Sequence, residues 1–162
     1  MRPLHSAIIV FGYIQLLLGA WVIWSTVDLS GQAGVRATGW IVGVGIPLAQ
    51  MISIVAVLWH ARQLAQSRDK ATHVRRLLIL LCISFLFIVA TLAIWWASEQ
   101  WNVGEPQHWL IVHVDRLPPN ELLGRLGSAT NSILFPLLLC AVLTVIELML
   151  GVRLWFNDSS LE

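Results

Sequence analysis

The sequence predicts an all-α integral membrane protein in which four transmembrane helices form a bundle. Of its 162 residues, 57% are hydrophobic and only 12% are charged, and a soluble domain of this length does not bury so much apolar surface. The charged residues leave apolar runs of about 20 residues, the length that crosses a bilayer as a helix. These runs predict four spans at residues 8–26, 40–59, 77–96 and 133–155.

The first of these runs follows Arg2, as the apolar core of a signal peptide follows a basic residue. The run is too long for such a core, and no small-x-small cleavage site lies cleanly at its end. We therefore expect the first span to be a retained transmembrane helix.

The linker between the second and third spans, residues 60–76, determines the predicted orientation. Its only acid is Asp69, and its basic residues are Arg62, Arg68, Lys70, Arg75 and Arg76. Short positive loops stay in the cytoplasm, so both chain termini are expected there as well, an N-in, C-in topology. We expect the inner (plasma) membrane of a bacterium.

Residues 97–132, between the third and fourth spans, are predicted to form one long extracytoplasmic linker. Its middle, HWLIVHVDRL, is too short and too charged to cross the membrane. The stretch near 119–127 favours a short amphipathic helix lying on the membrane surface. Because the linker lacks the Ser, Gly and Pro runs of a disordered tether, we expect it to be structured.

Tryptophan is unusually frequent, with nine in the chain. Trp59 and Trp155 fall at the predicted inner boundary. Five others fall in the outer half of the spans, namely Trp21, Trp24, Trp40, Trp95 and Trp96. Tryptophan favours the headgroup level, which explains these seven. Trp101 and Trp109 lie beyond the third span, and they are predicted either to contact a partner or lipid or to pack the linker onto the bundle.

Small and polar residues follow one face of each span, and in lipid such residues let helices approach closely and form hydrogen bonds. These faces are expected to meet as the seam of the bundle. Within them, Gln15, Gln50, Ser84 and Glu147 fall roughly 10–14 Å from the cytoplasmic side at 1.5 Å per residue. We predict that these four residues form an intramembrane polar site.

Glu147 is the acid of this predicted site, and an acid at such depth costs several kcal/mol unless it is neutral, paired or hydrated. No Lys or Arg of the chain lies at a matching depth. Two interpretations stay open. Glu147 is a structural group, hydrogen-bonded to Gln15 or Gln50 or reaching toward Arg153, or it binds a proton, a cation or a basic residue of a partner subunit.

The outer linker also contains four residues of metal-binding type, Glu105, His108, His113 and Asp115. They are weak candidates for zinc or copper, because His108 and His113 share a face neither in a helix nor in a strand. No metal site is therefore predicted. Haem is not expected either, because His5, His60 and His73 lie at or beyond the ends of the spans.

Motifs that carry catalysis are absent: the sequence has no HExxH, no GxSxG, no phosphate-binding glycine loop and no pair of intramembrane aspartates. Cys82 and Cys140 lie inside spans without a CxxC, which argues against disulfide exchange. No basic patch interleaved with aromatics predicts nucleic-acid binding. The sequence thus leans against an enzyme.

The segment HVDRLPPNELLGRL, residues 113–126, resembles a stretch in the small four-helix subunit of TRAP-type transporters. That family has two further spans after the segment, whereas here one span follows, and the predicted topology puts the segment outside. We therefore do not assign the chain to that family.

The interpretation that these observations favour is a small, non-enzymatic accessory subunit that stabilises or regulates a larger membrane complex. The alternative is a small homo-oligomeric transporter or channel with its polar site at Glu147. A third is a metal- or redox-linked subunit that uses the His108/His113 loop. No cofactor is predicted, and the expected partners are lipids at the bundle surface and other membrane subunits or further copies of this chain.

Overall fold

The computed structural model describes residues 2–64, 66, 69–101 and 119–159, with side chains described within 4–31, 34–64, 66, 69–97 and 133–156. Its helices are α1 (Arg2–Ala33), α2 (Ala37–Trp40), a π-helical segment (Ile41–Gly45), α3 (Ile46–Leu64), α4 (Lys70–Trp101) and α5 (Pro119–Ser159). Four stretches are long and apolar enough to cross a membrane: Leu4–Gly31, Ala37–Leu64, Lys70–Ala97 and Ile133–Phe156. The predicted all-helical class with four spans is confirmed.

Each span contains the run predicted for it, and the helices extend beyond the apolar cores. The predicted short helix near 119–127 is the first part of α5, which continues without interruption into the fourth span. Residues 102–118, where the middle of the predicted linker falls, lie outside the described residues.

The second span is built from α2, the π-helical segment and α3 in succession. Pro47 stands at the second position of α3, where its ring meets the backbone of the preceding turn and its nitrogen donates no hydrogen bond. The wider π-helical turn immediately before it accommodates this interruption, and such turns occur as single insertions in α-helices. Between α1 and α2, Gly34 takes a φ of 70°, the left-handed conformation that ends α1.

Neighbouring helices run antiparallel, as two apolar clusters at opposite ends of the bundle show. The hairpin cluster, next to the α3–α4 connection, contains Ile8, Val57, Ala61, Val74, Leu77, Leu81 and Leu154. The far cluster, at the other end, contains Val22, Val42, Ile133 and Leu137. Residues near the start of α1 thus contact residues near the end of α5. Residues near the end of α1 contact the first residues of the fourth span, which lies within α5.

Small residues set the closest approaches between helices, as their stripes predict. A Cβ atom added at Gly12 would lie 2.8 Å from Cδ2 of Leu58, and one added at Gly43 would overlap Oγ1 of Thr26. The Leu58 side chain can shift to admit a larger residue at Gly12, whereas the contact at Gly43 includes Cβ of Thr26 and leaves room for glycine alone. In lipid, close packing of this kind replaces the hydrophobic driving force between helices.

Large apolar side chains cover the outer surface of the four helices, as expected of a surface that contacts lipid, and six tryptophans are among them. Four are near the far end, Trp21, Trp24, Trp40 and Trp96, and two are nearer the hairpin end, Trp59 and Trp155. Amphipathic rings of this kind favour the interface between apolar core and headgroups. Trp95 differs, because it is half-buried and packs against the far cluster.

Candidate functional site: a buried carboxyl group between α1 and α5

Helix α5 holds Glu147 in the interior of the bundle, with 0% of its surface exposed. The residue lies nine positions before the end of the span Ile133–Phe156, or about 14 Å along the helix at 1.5 Å per residue. A carboxyl group at this depth costs several kcal/mol unless it is neutral, paired or hydrated. Its immediate partners therefore decide what it does.

The direct partner of Glu147 is Gln15 on α1. The Nε2 atom of Gln15 donates a hydrogen bond of 2.6 Å to Oε2 of Glu147, and Gln15 is itself only 2% exposed. The flanking residues Gly12 and Gly19 are buried and bring α1 close to α3, where added Cβ atoms would meet Leu58 and Met51. The same face of α1 therefore supplies both the close packing and the polar contact.

Thr144, one turn before Glu147 on α5, orients the Gln15 amide. Its Oγ1 lies 3.3 Å from Oε1 of Gln15, to which it donates, and 2.8 Å from the backbone oxygen of Cys140. A threonine hydroxyl has a single proton, so these two acceptors share it. While Thr144 faces the amide oxygen, the amide nitrogen of Gln15 is directed at Glu147.

The second oxygen of Glu147, Oε1, is buried and has no hydrogen-bond partner among the side chains that the structure describes. No basic side chain in the same part of the chain pairs with the carboxyl group; its one bond is the one from Gln15. An ionised Glu147 thus leaves Oε1 without a donor, and a protonated Glu147 leaves a proton on Oε1 without an acceptor. In both states the carboxyl group is one partner short.

Gln50 and Ser84, the other two residues of the predicted site, are buried at 4% and 0% exposure. Like Gln15 and Glu147, each lies within one turn of the midpoint of its span. Neither forms a hydrogen bond with Glu147: Gln50 is within hydrogen-bonding reach of the Cys140 thiol, and Oγ of Ser84 has no partner in the described part of the chain.

We refer to these buried residues as the mid-bundle polar layer: Gln15, Gln50, Ser84, Thr144 and Glu147. All four predicted residues are buried near the midpoints of their spans, and a hydrogen bond joins two of them, Gln15 and Glu147. The predicted site did not include Thr144. Residues three apart lie on the same face of a helix, so its spacing from Glu147 is a signal by which the sequence could have indicated it.

The remaining predicted contact residues fall outside the part of the chain whose side chains are described. They are Trp101, Glu105, His108, Trp109, His113 and Asp115. Among the described residues, no group of three or more His, Cys, Asp or Glu side chains converges on a metal position. Cys82 and Cys140 are both free thiols, the former exposed and the latter buried.

Comparison with known proteins gives no match for this chain among family models, curated proteins or solved structures. Its function must therefore be inferred from its own residues.

Proposed function

We propose that the chain is a small membrane transporter or channel, acting as a homo-oligomer, in which Glu147 takes up and releases a proton. The observation that carries this proposal is the incomplete bonding of a buried carboxyl group: Oε2 accepts a hydrogen bond from Gln15, and Oε1 has no partner among the described residues. Ionisable groups inside membrane spans are costly, and they commonly mark ion or proton pathways.

The two oxygens of Glu147 have different roles: Oε2 fixes the orientation of the carboxyl group, and Oε1 carries the proton that is exchanged. The amide of Gln15 donates to Oε2 in both protonation states, so it keeps the carboxyl group in one orientation. Oε2 is occupied as an acceptor, and the proton therefore resides on Oε1. Because Oε1 is bonded to no described side chain, a water molecule that reaches it can deliver the proton or accept it, becoming hydronium, without breaking the contact between α1 and α5.

Infrared difference spectroscopy tests this proposal without knowledge of the transported species. We expect a carboxylic acid C=O band in the folded protein that decreases reversibly as the pH is raised and that is absent in Glu147→Gln. Neutralising an exposed carboxyl group, as in Asp28→Asn, serves as the control and should leave the band in place. A band that stays constant with pH while the protein remains folded contradicts proton exchange at Glu147.

A flux measurement then separates proton binding from proton transport. In proteoliposomes that contain a pH-sensitive dye, the wild-type chain should acidify or alkalinise the lumen when a membrane potential is applied. Glu147→Gln should abolish this response, while Asp28→Asn retains it. Equal fluxes in wild type and Glu147→Gln would rule out transport through Glu147.

The close packing around the polar layer favours a second candidate, an accessory subunit that stabilises or regulates a larger membrane complex. Glu147 is 0% exposed and Gln15 is 2% exposed, so the pair also serves as an internal link between α1 and α5. In this case large apolar side chains on the outer surface contact lipids and neighbouring subunits.

The two candidates differ in what accompanies the chain during mild purification. An accessory subunit should elute with unrelated membrane proteins in defined stoichiometry, and Glu147→Gln should assemble normally. A transporter should elute as a homomer of fixed size. A homomer whose infrared band titrates supports the first candidate, and a hetero-complex with a constant band supports the second.

A further inference from the structure

Two histidines on neighbouring helices face each other at the hairpin end of the bundle. The Nδ1 atoms of His60 on α3 and His73 on α4 are 3.1 Å apart, and the ring centroids are 5.4 Å apart. Both side chains are half-buried. The buried residues Val57, Ala61 and Val74 of the hairpin cluster pack the two helices together beside the pair, so the distance is set by the helix contact.

This arrangement brings two nitrogen lone-pair positions to nearly the separation found between ligands of one metal ion. Imidazole nitrogens lie about 2.0–2.1 Å from zinc, and tetrahedral geometry then separates two such nitrogens by about 3.3–3.4 Å. The observed 3.1 Å between Nδ1 of His60 and Nδ1 of His73 is close to that value. To bind a common ion, each ring must also tilt by about 35°, so that its lone pair points at the ion rather than at the other nitrogen. Without a metal, the same two atoms share one proton, because a second proton between them would leave two donors facing each other.

We propose that His60 and His73 form a two-imidazole site for a divalent transition-metal ion, with water completing the coordination. Imidazole is a ligand suited to zinc, copper and nickel. The bound ion would join α3 to α4 at the hairpin end. This site is separate from the mid-bundle polar layer, and it does not depend on the function proposed for Glu147.

Two charged residues near the pair act on the ion in opposite directions. Asp69 and Arg76 both interact electrostatically with the pair, Asp69 with His73 and Arg76 with His60. The carboxylate attracts a cation and the guanidinium repels it, so the local charges offset each other. Because the described residues provide two ligands rather than three or four, the ion should exchange readily and be removed by chelators.

Metal binding by the full-length chain in detergent micelles tests the proposal. After treatment with a chelator, the protein is dialysed against Zn²⁺ or Cu²⁺, and bound metal is measured by elemental analysis. We expect about one ion per chain, with binding lost in both His60→Asn and His73→Asn. Asparagine retains a polar side chain of moderate size, so these variants should keep the helix packing.

The matched control is the double variant His108→Ala/His113→Ala, which removes the histidines of the predicted outer linker. It should bind as much metal as the wild type. Electron paramagnetic resonance of the Cu²⁺ form should show coupling to imidazole nitrogens that disappears in His60→Asn. Absence of binding by the wild type, binding that persists in His60→Asn and His73→Asn, or binding lost only in the control variant each overturns the proposal.

Discussion

The mid-bundle polar layer and the two apolar clusters on either side of it hold the helices together in different ways. Lipid tails are as apolar as the side chains of the hairpin and far clusters, so these clusters are stabilised by close packing and dispersion rather than by removal from water. Such contacts are tolerant of small shifts. The bond between Gln15 and Glu147 is directional, and a shift of one residue along α5 would rotate the carboxyl group by about 100° and break it.

Close approach and register are therefore specified by different residues. Glycines determine how near the helices come, and the polar layer determines which residues stand opposite each other. Substitutions that change one contribution and leave the other intact are therefore the most informative.

The largest effect is expected from Gly43→Val, which fills the contact between the π-helical segment and α1. An added Cβ atom would overlap Oγ1 of Thr26 and would lie 2.9 Å from its Cβ, which moves only with the backbone of α1. We expect a loss of about 3 kcal/mol or more in the free energy of unfolding, at the upper end of the range for overpacked cores. Unfolding in mixed micelles, followed by circular dichroism, measures this loss.

The matched control for this substitution is Gly31→Val, because a Cβ atom at Gly31 meets nothing within 4 Å. It introduces the same side chain into α1 without a new contact and should change stability little. Equal losses in the two variants would mean that the valine side chain, and not the helix contact, causes the effect.

The second largest loss of stability is expected from Gln15→Leu, a substitution in the mid-bundle polar layer. This change removes the donor to Oε2 and leaves both oxygens of Glu147 without partners among the described residues. A buried polar group without a partner costs about 1–3 kcal/mol, and interhelical hydrogen bonds in membranes contribute up to about 1.7 kcal/mol. We therefore expect a loss of about 1–2 kcal/mol in the same unfolding assay.

Two further variants decide whether this loss comes from the pair. Gln50→Leu makes the same change in the same layer at a residue that forms no hydrogen bond with Glu147, and it should cost less. The double variant Gln15→Leu/Glu147→Leu removes the buried carboxyl group of Glu147 together with its donor, so part of the lost stability should return. A double variant less stable than Gln15→Leu would refute the pairing argument.

A smaller effect is expected from Thr144→Val. The bond from Thr144 to Gln15 is long, at 3.3 Å, and it competes with the bond to the backbone oxygen of Cys140. Removing it should cost about 0.5 kcal/mol, close to the average for interhelical hydrogen bonds in a membrane. Thr91→Val is the reference, because Thr91 is equally buried and, among the described residues, its hydroxyl bonds only to the backbone oxygen of Phe87 in its own helix. If the two variants lose the same stability, Thr144 contributes nothing across the helix contact.

Much of this architecture follows from the sequence, because apolar run length alone predicts the four spans. The polar stripes also predict which faces are buried, since Gln15 and Glu147 each stand on the small-residue face of their helix. Such stripes give depth and direction to within about a turn. They do not identify the hydrogen-bond partner of each polar side chain. For this reason the sequence placed Gln50 and Ser84 in the predicted site together with Gln15, although only Gln15 bonds to Glu147 among the described residues.

The features that the sequence did not predict depend on connections and on neighbouring helices. Helix α5 runs from Pro119 through residues 128–132 into the fourth span, although this mostly polar stretch resembles a boundary between a surface helix and a span. The contact between His60 and His73 depends on how the α3–α4 connection aligns two helices, and neither residue has a pattern that indicates the other.

The smallest effect is expected at the hairpin end, where Asp69 caps α4 outside the membrane spans. Its Oδ1 accepts a hydrogen bond of 3.2 Å from the backbone N–H of Thr72, and hydrogen bonds from the side chain and backbone of Thr72 hold the pKa of Asp69 below its ordinary value. Asp69→Ala should therefore increase hydrogen–deuterium exchange in the first turn of α4, and it should leave the polar layer unchanged.

The pH dependence of this cap has a definite sign. A depressed pKa means that the carboxylate stabilises the folded first turn above the ordinary Asp value of about 3.9, and that this contribution is lost as the pH falls through the lower folded value. Protection factors of the first-turn amides should therefore fall in acid for the wild type. Asp69→Asn keeps a capping oxygen without a titrating group, so its protection should not depend on pH in this range. An identical acid response in both proteins would show that another group controls the first turn of α4.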